Sequence, residues 1–400
     1  MELRLSNTVR RIHTEFLPGA KAWRVLNYLL LLTFTVNTVF LPYDTFGLKK
    51  GSLILLLIIN AREIFFCENR KAILIFGLVL TSINIAVSIL STLNIVGEVM
   101  AGYMGYILLL YPVIEKHKID YERMLEYTLL ALAVVMVGIM VLDLSKIYPI
   151  AQNSLVQWMN ETENATLFGI GAASISGYGL FFKTAPMFAM GIAIAAERRN
   201  FFGFLIMAAA MLISGTRADF LVGLCVALFC IVKRKNAAST SITALLVFSV
   251  AVFIVIDGRF IERVNYVFTS KNHNDLIRSG LITATMDGWK YDPLSFFTGS
   301  GFTSKIYDRI RDQYMDITEV SYWNLLRQVG LVPFIATMIA FLYPAGQLFV
   351  RKEHLYVIVG LIGYLLIAYT NPLLYSSTGF AILLYMYYLW YREEQETVKT

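Results

Sequence analysis

A chain of 400 residues that is 57% hydrophobic and 16% charged, with a mean hydropathy of +0.63, is a poor match to a soluble globular domain. Its net charge of +6 does not point to nucleic acid, because lysine and arginine fall mainly in short turns between apolar runs, the pattern of a membrane protein. Cys67, Cys225 and Cys230 are odd in number and lie in or beside apolar runs or basic turns, so they suggest neither a disulfide framework nor a metal cluster.

Taken in chain order, a basic segment with Arg4, Arg10, Arg11 and Lys21 comes first and is expected on an anionic inner leaflet, with Trp23 near the interface. Twelve apolar spans follow, at 24–41, 45–61, 72–91, 96–114, 125–143, 178–196, 201–215, 218–232, 239–257, 324–349, 355–371 and 378–391. Lys49 and Lys50 interrupt the second. So many spans exceed a secretory signal, and the first is expected to stay as an anchor. The turns REIFFCENRK, EKHKIDYER, ERRN, VKRK and VRKEH each carry at least two basic residues, whereas the alternate short turns at 92–95 and 372–377 carry none. That parity puts both termini on the cytoplasmic side of one integral membrane domain, 1–400. Two external segments are long, 144–177 and 258–323, and long loops in a tightly threaded protein are usually functional. The sequons at Asn160 and Asn164 are read as chance matches.

Neither an internal repeat nor a P-loop, GxGxxG or HExxH motif is visible, so ATP hydrolysis, a dinucleotide cofactor and zinc hydrolysis have no support. His13, His117, His273 and His354 are scattered, and the loop carboxylates have no metal-ligand spacing. No cofactor and no metal are expected.

The stretch MLISGTRADFLVGL places Arg217 between two apolar runs. Basic turns flank these runs on both sides with 32 residues between, roughly 48 Å as one helix and too long for one crossing of a core of about 30 Å. Two arms of about 15 residues, each roughly 22 Å, make a hairpin whose Ser214–Arg217 tip stops at membrane depth. Irregular backbone there must be covered by protein or line a watery cavity, and a cation there wants an anion. The plainer alternative is that Arg217 snorkels to headgroups or pairs with Asp219. Lys183, near the outer end of the span before, is a second cation at similar depth, and snorkelling is its plainer reading too.

In the large loop, the spacing of Ile277, Leu281, Ile282 and Met286 predicts an amphipathic helix on the outer interface, with Arg278 along that interface or at the cavity mouth. Trp289, Tyr291, Phe296 and Phe297 offer aromatic faces for sugars or for interfacial anchoring. DPLSFFTGSGF reads as a glycine-rich turn before the next span. Glu319, just outside that span, can act as a general base if its geometry allows, or serve as a salt-bridge partner.

LISGTRADFLVGL, followed by DLIRSGLITATMDGW, a TGSGF turn and a polar-aromatic segment ending in QVGLVPF, resembles the O-antigen polymerase (Wzy) and O-antigen ligase (WaaL) superfamily over about the last 230 residues. The resemblance implies an all-α, polytopic fold of the GT-C type with about 12 transmembrane helices and a large external loop bearing an amphipathic helix. It implies a metal-independent, inverting glycosyltransferase that polymerises undecaprenyl-diphosphate-linked oligosaccharide repeats into surface polysaccharide such as lipopolysaccharide O-antigen or capsule, in the bacterial inner membrane. Lys183, Arg217 and Arg278 would hold the lipid diphosphate; Arg217, Arg278 and Glu319 would be catalytic. The implied partners are the lipid-linked donor and acceptor, membrane lipid and a chain-length regulator protein, with no nucleic acid. Ligases carry a histidine where this chain reads ITEVSYWNLLRQ, which favours polymerase; ligase and lipid-linked oligosaccharide flippase remain the alternatives.

Overall fold

The protein is described by a computed structural model over residues 18–66, 70–169, 178–214, 216–233, 272–315 and 318–399. Helices dominate. The described residues begin with α1 (Pro18–Phe40), α2 (Leu48–Ile59), α3 (Lys71–Thr92), α4 (Ile95–His117), α5 (Tyr121–Leu144) and α6 (Ser154–Glu161). After β1 (Ala165–Gly169) and β2 (Tyr178–Phe182) come α7 (Ala185–Glu197), α8 (Phe201–Ile213) and α9 (Arg217–Lys233). The loop expected to be external contributes a lobe, named the external lobe for that expectation, with α10 (Asn272–Tyr291), α11 (Pro293–Thr298), β3 (Ile306–Asp308) and β4 (Gln313–Met315). The described residues continue with α12 (Ser321–Val329), α13 (Leu331–Val350), α14 (Leu355–Ala368) and α15 (Ser377–Lys399).

Local chemistry sets several helix starts. Asn94, Asp120 and Asn200 accept the amide protons of Gly97, Arg123 and Gly203 at 3.1, 2.9 and 3.0 Å, satisfying donors that a helix leaves unpaired at its first turn. Among the described residues, four helices, α3, α4, α5 and α13, are long and apolar enough to cross a membrane by length and composition; α7, α8 and α14 are apolar but shorter. Large apolar side chains point outward as well as inward, with Ile58, Val332 and Leu366 at 67%, 68% and 60% exposure. Water would not tolerate so many such faces, and lipid would.

Helix α7 is the packing centre, with Phe188 through Ala195 wholly buried against α5, α8, α9 and α14. Small residues let it approach α14 closely: a Cβ on Gly360 would lie 2.7 Å from the Ala193 Cβ. The external lobe has its own small core, in which Ile277 and Leu281 of α10 meet Ile306 of β3 and Val320.

Several expectations change. The fold is mostly helical rather than all-α, since two antiparallel hairpins, β1–β2 and β3–β4, are present. The expected span at 178–196 opens as β2, because its first residues pair with the end of the first long loop rather than continuing the helix. The span expected at 45–61 shortens to the 12 residues of α2, where Lys49 is buried with its ammonium donating to the Pro42 carbonyl and, at 3.0 Å, to the Ser377 hydroxyl. The span expected at 324–349 breaks at Gly330, whose φ of 81° is strained for any side chain and where a Cβ would lie 2.2 Å from the Phe297 carbonyl oxygen. The span expected at 239–257 lies outside the described residues. On α10, Met286 is exposed, and the buried stripe instead runs Ile277, Leu281, Thr285 and packs on the lobe itself.

A candidate anion site between the hairpin tip and the external lobe

The two arms of the arginine hairpin are real helices of 13 and 17 residues, α8 and α9, which span roughly 20 and 26 Å. Each is shorter than a hydrocarbon core of about 30 Å. At the tip, the Thr216 hydroxyl accepts the Asp219 amide proton at 3.2 Å, and the Ser214 hydroxyl donates to the Asp219 carboxylate at 2.9 Å. Asp219 is thereby turned inward and wholly buried, which leaves Arg217 at the first position of α9 directed elsewhere. Its Nη1 lies 3.6 Å from Oδ2 of Asp275 on α10, not against Asp219.

Arg278, one turn further along α10, meets the other oxygen of Asp275 through its own Nη1 at 3.5 Å. Its Nη2 donates to the Thr370 carbonyl just past α14, and its Nε lies 3.5 Å from Oε2 of Glu319. Oε1 of Glu319 takes a shorter contact, 2.5 Å, from Nη2 of Arg311 in the β3–β4 turn. Arg311 is aimed by Asp308, whose side chain is 1% exposed, accepts the Ile310 amide proton at 2.9 Å and lies 3.8 Å from the Arg311 Nε.

Lys183 lies within the electrostatic reach of the same cluster, through Glu319 and Arg311. Its amide donates to the Asn164 carbonyl at 3.1 Å, extending the β1–β2 ladder by one rung and fixing the turn before α7. Here it stands outside the spanning helices. Burial pushes its ammonium below the usual lysine range, the carboxylates of Glu319 and Glu163 oppose that shift, and Arg311 adds to it. Asn164 is 1% exposed, with its amide on Thr45 at 2.9 Å, so that sequon is a structural hydrogen-bonding residue.

The four residues singled out from the sequence, Lys183, Arg217, Arg278 and Glu319, therefore fall into one neighbourhood, although they come from four separate elements. Glu319 there is an ion-pair partner of two arginines. Asp275 and Arg311 carry as much of the arrangement and were not distinguishable among the many charges of the loop by spacing alone. The TGSGF turn holds the lobe in place: Ser300 and Gly301 donate to the carbonyls of Arg327 and Gln328 at 2.8 and 2.9 Å. Buried Glu98 of α4 accepts the amide protons of Phe302 and Thr303 at 2.7 and 3.0 Å. The aromatic residues of the lobe pack chiefly on one another, Trp289 lying 5.0 Å from Phe296 and 5.8 Å from Trp323, whereas Tyr291 is 92% exposed.

Among the described residues, no group of histidine, cysteine and acidic side chains is arranged to hold a metal ion. His354 belongs to a different cluster, between Glu197 and Glu393. What the site offers is several fixed guanidinium groups and one ammonium, converging where an external lobe meets the tip of a short helical hairpin. Such forks bind phosphate or carboxylate oxygens in pairs and stay charged. No family model matches the chain, and no curated protein is significantly similar to it in sequence.

Proposed function

We propose that the chain is a polysaccharide polymerase, a GT-C-type glycosyltransferase of about 12 spans with both termini cytoplasmic, acting on lipid-diphosphate-linked oligosaccharide repeats at the outer face of a bacterial inner membrane. The observation that carries this reading is the meeting of Arg217 from the hairpin tip and Arg278 from the external lobe on one carboxylate, Asp275. Two arginines held around one anion, one of them at the start of a helix too short to cross the core, suit a lipid-linked diphosphate whose chain lies in the bilayer. Fixed cations stabilise the charge that develops on the diphosphate as the sugar leaves, without reorganising at that moment.

In this reading Arg217, Arg278 and Lys183 bind the donor diphosphate. The bond between the anomeric carbon and the diphosphate oxygen breaks as the acceptor hydroxyl oxygen attacks that carbon from the opposite face. The hydroxyl proton passes to Glu319, and the lipid diphosphate leaves with the bonding electrons, inverting the anomeric centre.

The test uses purified full-length protein supplied with lipid-linked repeat units, with product length read on a gel. A ladder is expected of a polymerase and a single transfer to another acceptor of a ligase; movement of unaltered donor across the bilayer is expected of a flippase. Arg217→Ala should lower the polymer yield by about 100-fold, and an Arg217→Ala protein that still builds normal ladders would remove the assignment.

A further inference from the structure

The charged groups of the site alternate in sign. Arg217, Asp275, Arg278, Glu319 and Arg311 follow one another through contacts of 3.6, 3.5, 3.5 and 2.5 Å. Each carboxylate lies between two guanidinium groups, and Arg278 belongs to both pairs. The three arginines come from the start of α9, from α10 and from the β3–β4 turn, so no single helix imposes the spacing. The two carboxylates do, because three guanidinium groups would otherwise repel one another.

We propose that Asp275 and Glu319 occupy the two phosphoryl seats of a diphosphate site, and that the diphosphate enters by displacing Asp275 from Arg217 and Arg278, and Glu319 from Arg278 and Arg311. The proposal rests on reading the cluster as a diphosphate site, and it adds Arg311 as a third arginine for that ligand. A lipid-linked diphosphate carries one negative charge on each phosphoryl group, so two carboxylates leave as two phosphoryl groups arrive and the local charge balance is kept.

Exposure makes the exchange feasible. The side chains of Asp275 and Glu319 are 52% and 29% exposed, and ion pairs open to solvent contribute little and rearrange readily. Asp308 differs: it is 1% exposed and tied to the Ile310 and Arg311 amides, at 2.9 and 3.3 Å. It stays when Glu319 leaves and keeps Arg311 aimed at the second seat. Glu319, relieved of its guanidinium partners only once donor is bound, then has lone pairs to accept the acceptor proton. Donor binding thus precedes general-base activity.

The probe is inorganic pyrophosphate, titrated calorimetrically into the full-length detergent-solubilised protein at fixed ionic strength. Asp275→Asn and Glu319→Gln should each tighten binding by about tenfold, and Arg311→Gln should weaken it by about tenfold. Asp287→Asn makes the same charge change on the same helix, roughly 18 Å along it, and should leave binding unaltered. Arg309→Gln, an exposed arginine of the same turn, is the matching control for Arg311. Melting in detergent verifies that each variant is folded, and Asp275→Ser supplies a second neutral replacement.

The proposal is overturned if neither neutralised carboxylate tightens binding, if Asp287→Asn tightens it equally, or if Arg311→Gln binds as the parent does. A protein that binds pyrophosphate in the expected pattern yet makes no polymer keeps the two-seat site and loses the polymerase reading.

Discussion

The two ends of α14 carry the same kinds of charged residue put to opposite use. His354 precedes the helix and Thr370 follows it, so its 14 residues separate the two sites by roughly 21 Å. At the His354 end, Arg392 meets Glu122 at 2.7 Å, Arg198 meets Glu126 at 2.8 Å and Arg70 meets Glu115 at 2.8 Å. His354 bridges Glu197 and Glu393 at 2.8 and 3.0 Å. Glu122 and Glu126 are buried, and Arg70 also lies over the Tyr391 ring at 4.4 Å. At the Thr370 end the contacts through Asp275 and Arg278 are 3.5 to 3.6 Å and open to solvent. The arginine pairs at the His354 end are short, each has one buried partner, and they tie turns to α4, α5 and α15 as staples. At the other end the Asp275 pairs are long and half exposed, and Glu319 is short only to Arg311, at 2.5 Å with both partners partly exposed, so cations are held in place without being committed.

The sharpest way to break this comparison is Arg278→Lys. The charge is kept and the fork is lost, so turnover on lipid-linked repeats should fall by about 100-fold while the melting temperature in detergent hardly moves. A large fall in stability instead would make the Thr370 end a staple too. Glu126→Gln tests the other end. Its carboxylate is 1% exposed, pairs with Arg198 at 2.8 Å and accepts from Asn200, the cap of α8, at 2.7 Å. Neutralising it should cost about 2 kcal/mol of stability, read by thermal unfolding, and leave the specific activity of the folded protein unaltered.

Much of this was legible in the sequence, for identifiable reasons. The arginine hairpin follows from flanking basic turns and arm length, both local quantities, and the four chosen site residues are few cations and one acid at odds with apolar neighbours or at a span boundary. What escaped was decided over long range. The strand character of 178–182 exists only because 165–169 is there to pair with it. The break at Gly330 is set by the close approach of Phe297, not by hydrophobicity. Glu98 lies inside the span expected at 96–114, and its partners, the TGSGF amides, come only 204 and 205 positions later. Arg311 and Asp275 were lost among similar loop charges, since spacing carries no information about which hairpin folds over which helix.

A smaller effect concerns pH at the staple end. Burial alone would lower the His354 pKa, but hydrogen bonds and charges from Glu197 and Glu393 outweigh it and the net shift is upward from 6.5. A histidine whose pKa is raised on folding contributes stability that is fully present below its ordinary value and is lost as pH rises through the folded value. Melting temperature should therefore fall as pH climbs from about 6.5 into the mildly alkaline range, and His354→Gln should flatten that fall. An unchanged slope in the variant would assign the pH dependence to other groups.

The smallest expected effect is also the one that separates the two ends most cleanly. Asp275→Asn removes a carboxylate contacted by two arginines, which by count resembles breaking a staple. Its side chain is 52% exposed, however, and both contacts are at least 3.5 Å long, so solvent already screens most of the attraction. Neutralising it also brings the arginines closer to unbalanced repulsion, which opposes any gain from freeing them. Thermal unfolding should therefore shift by no more than about 0.5 kcal/mol, against about 2 kcal/mol for Glu126→Gln. Equal losses in the two variants would mean that exposure and distance do not distinguish the clusters, and the division between staple and exchangeable pair would fall.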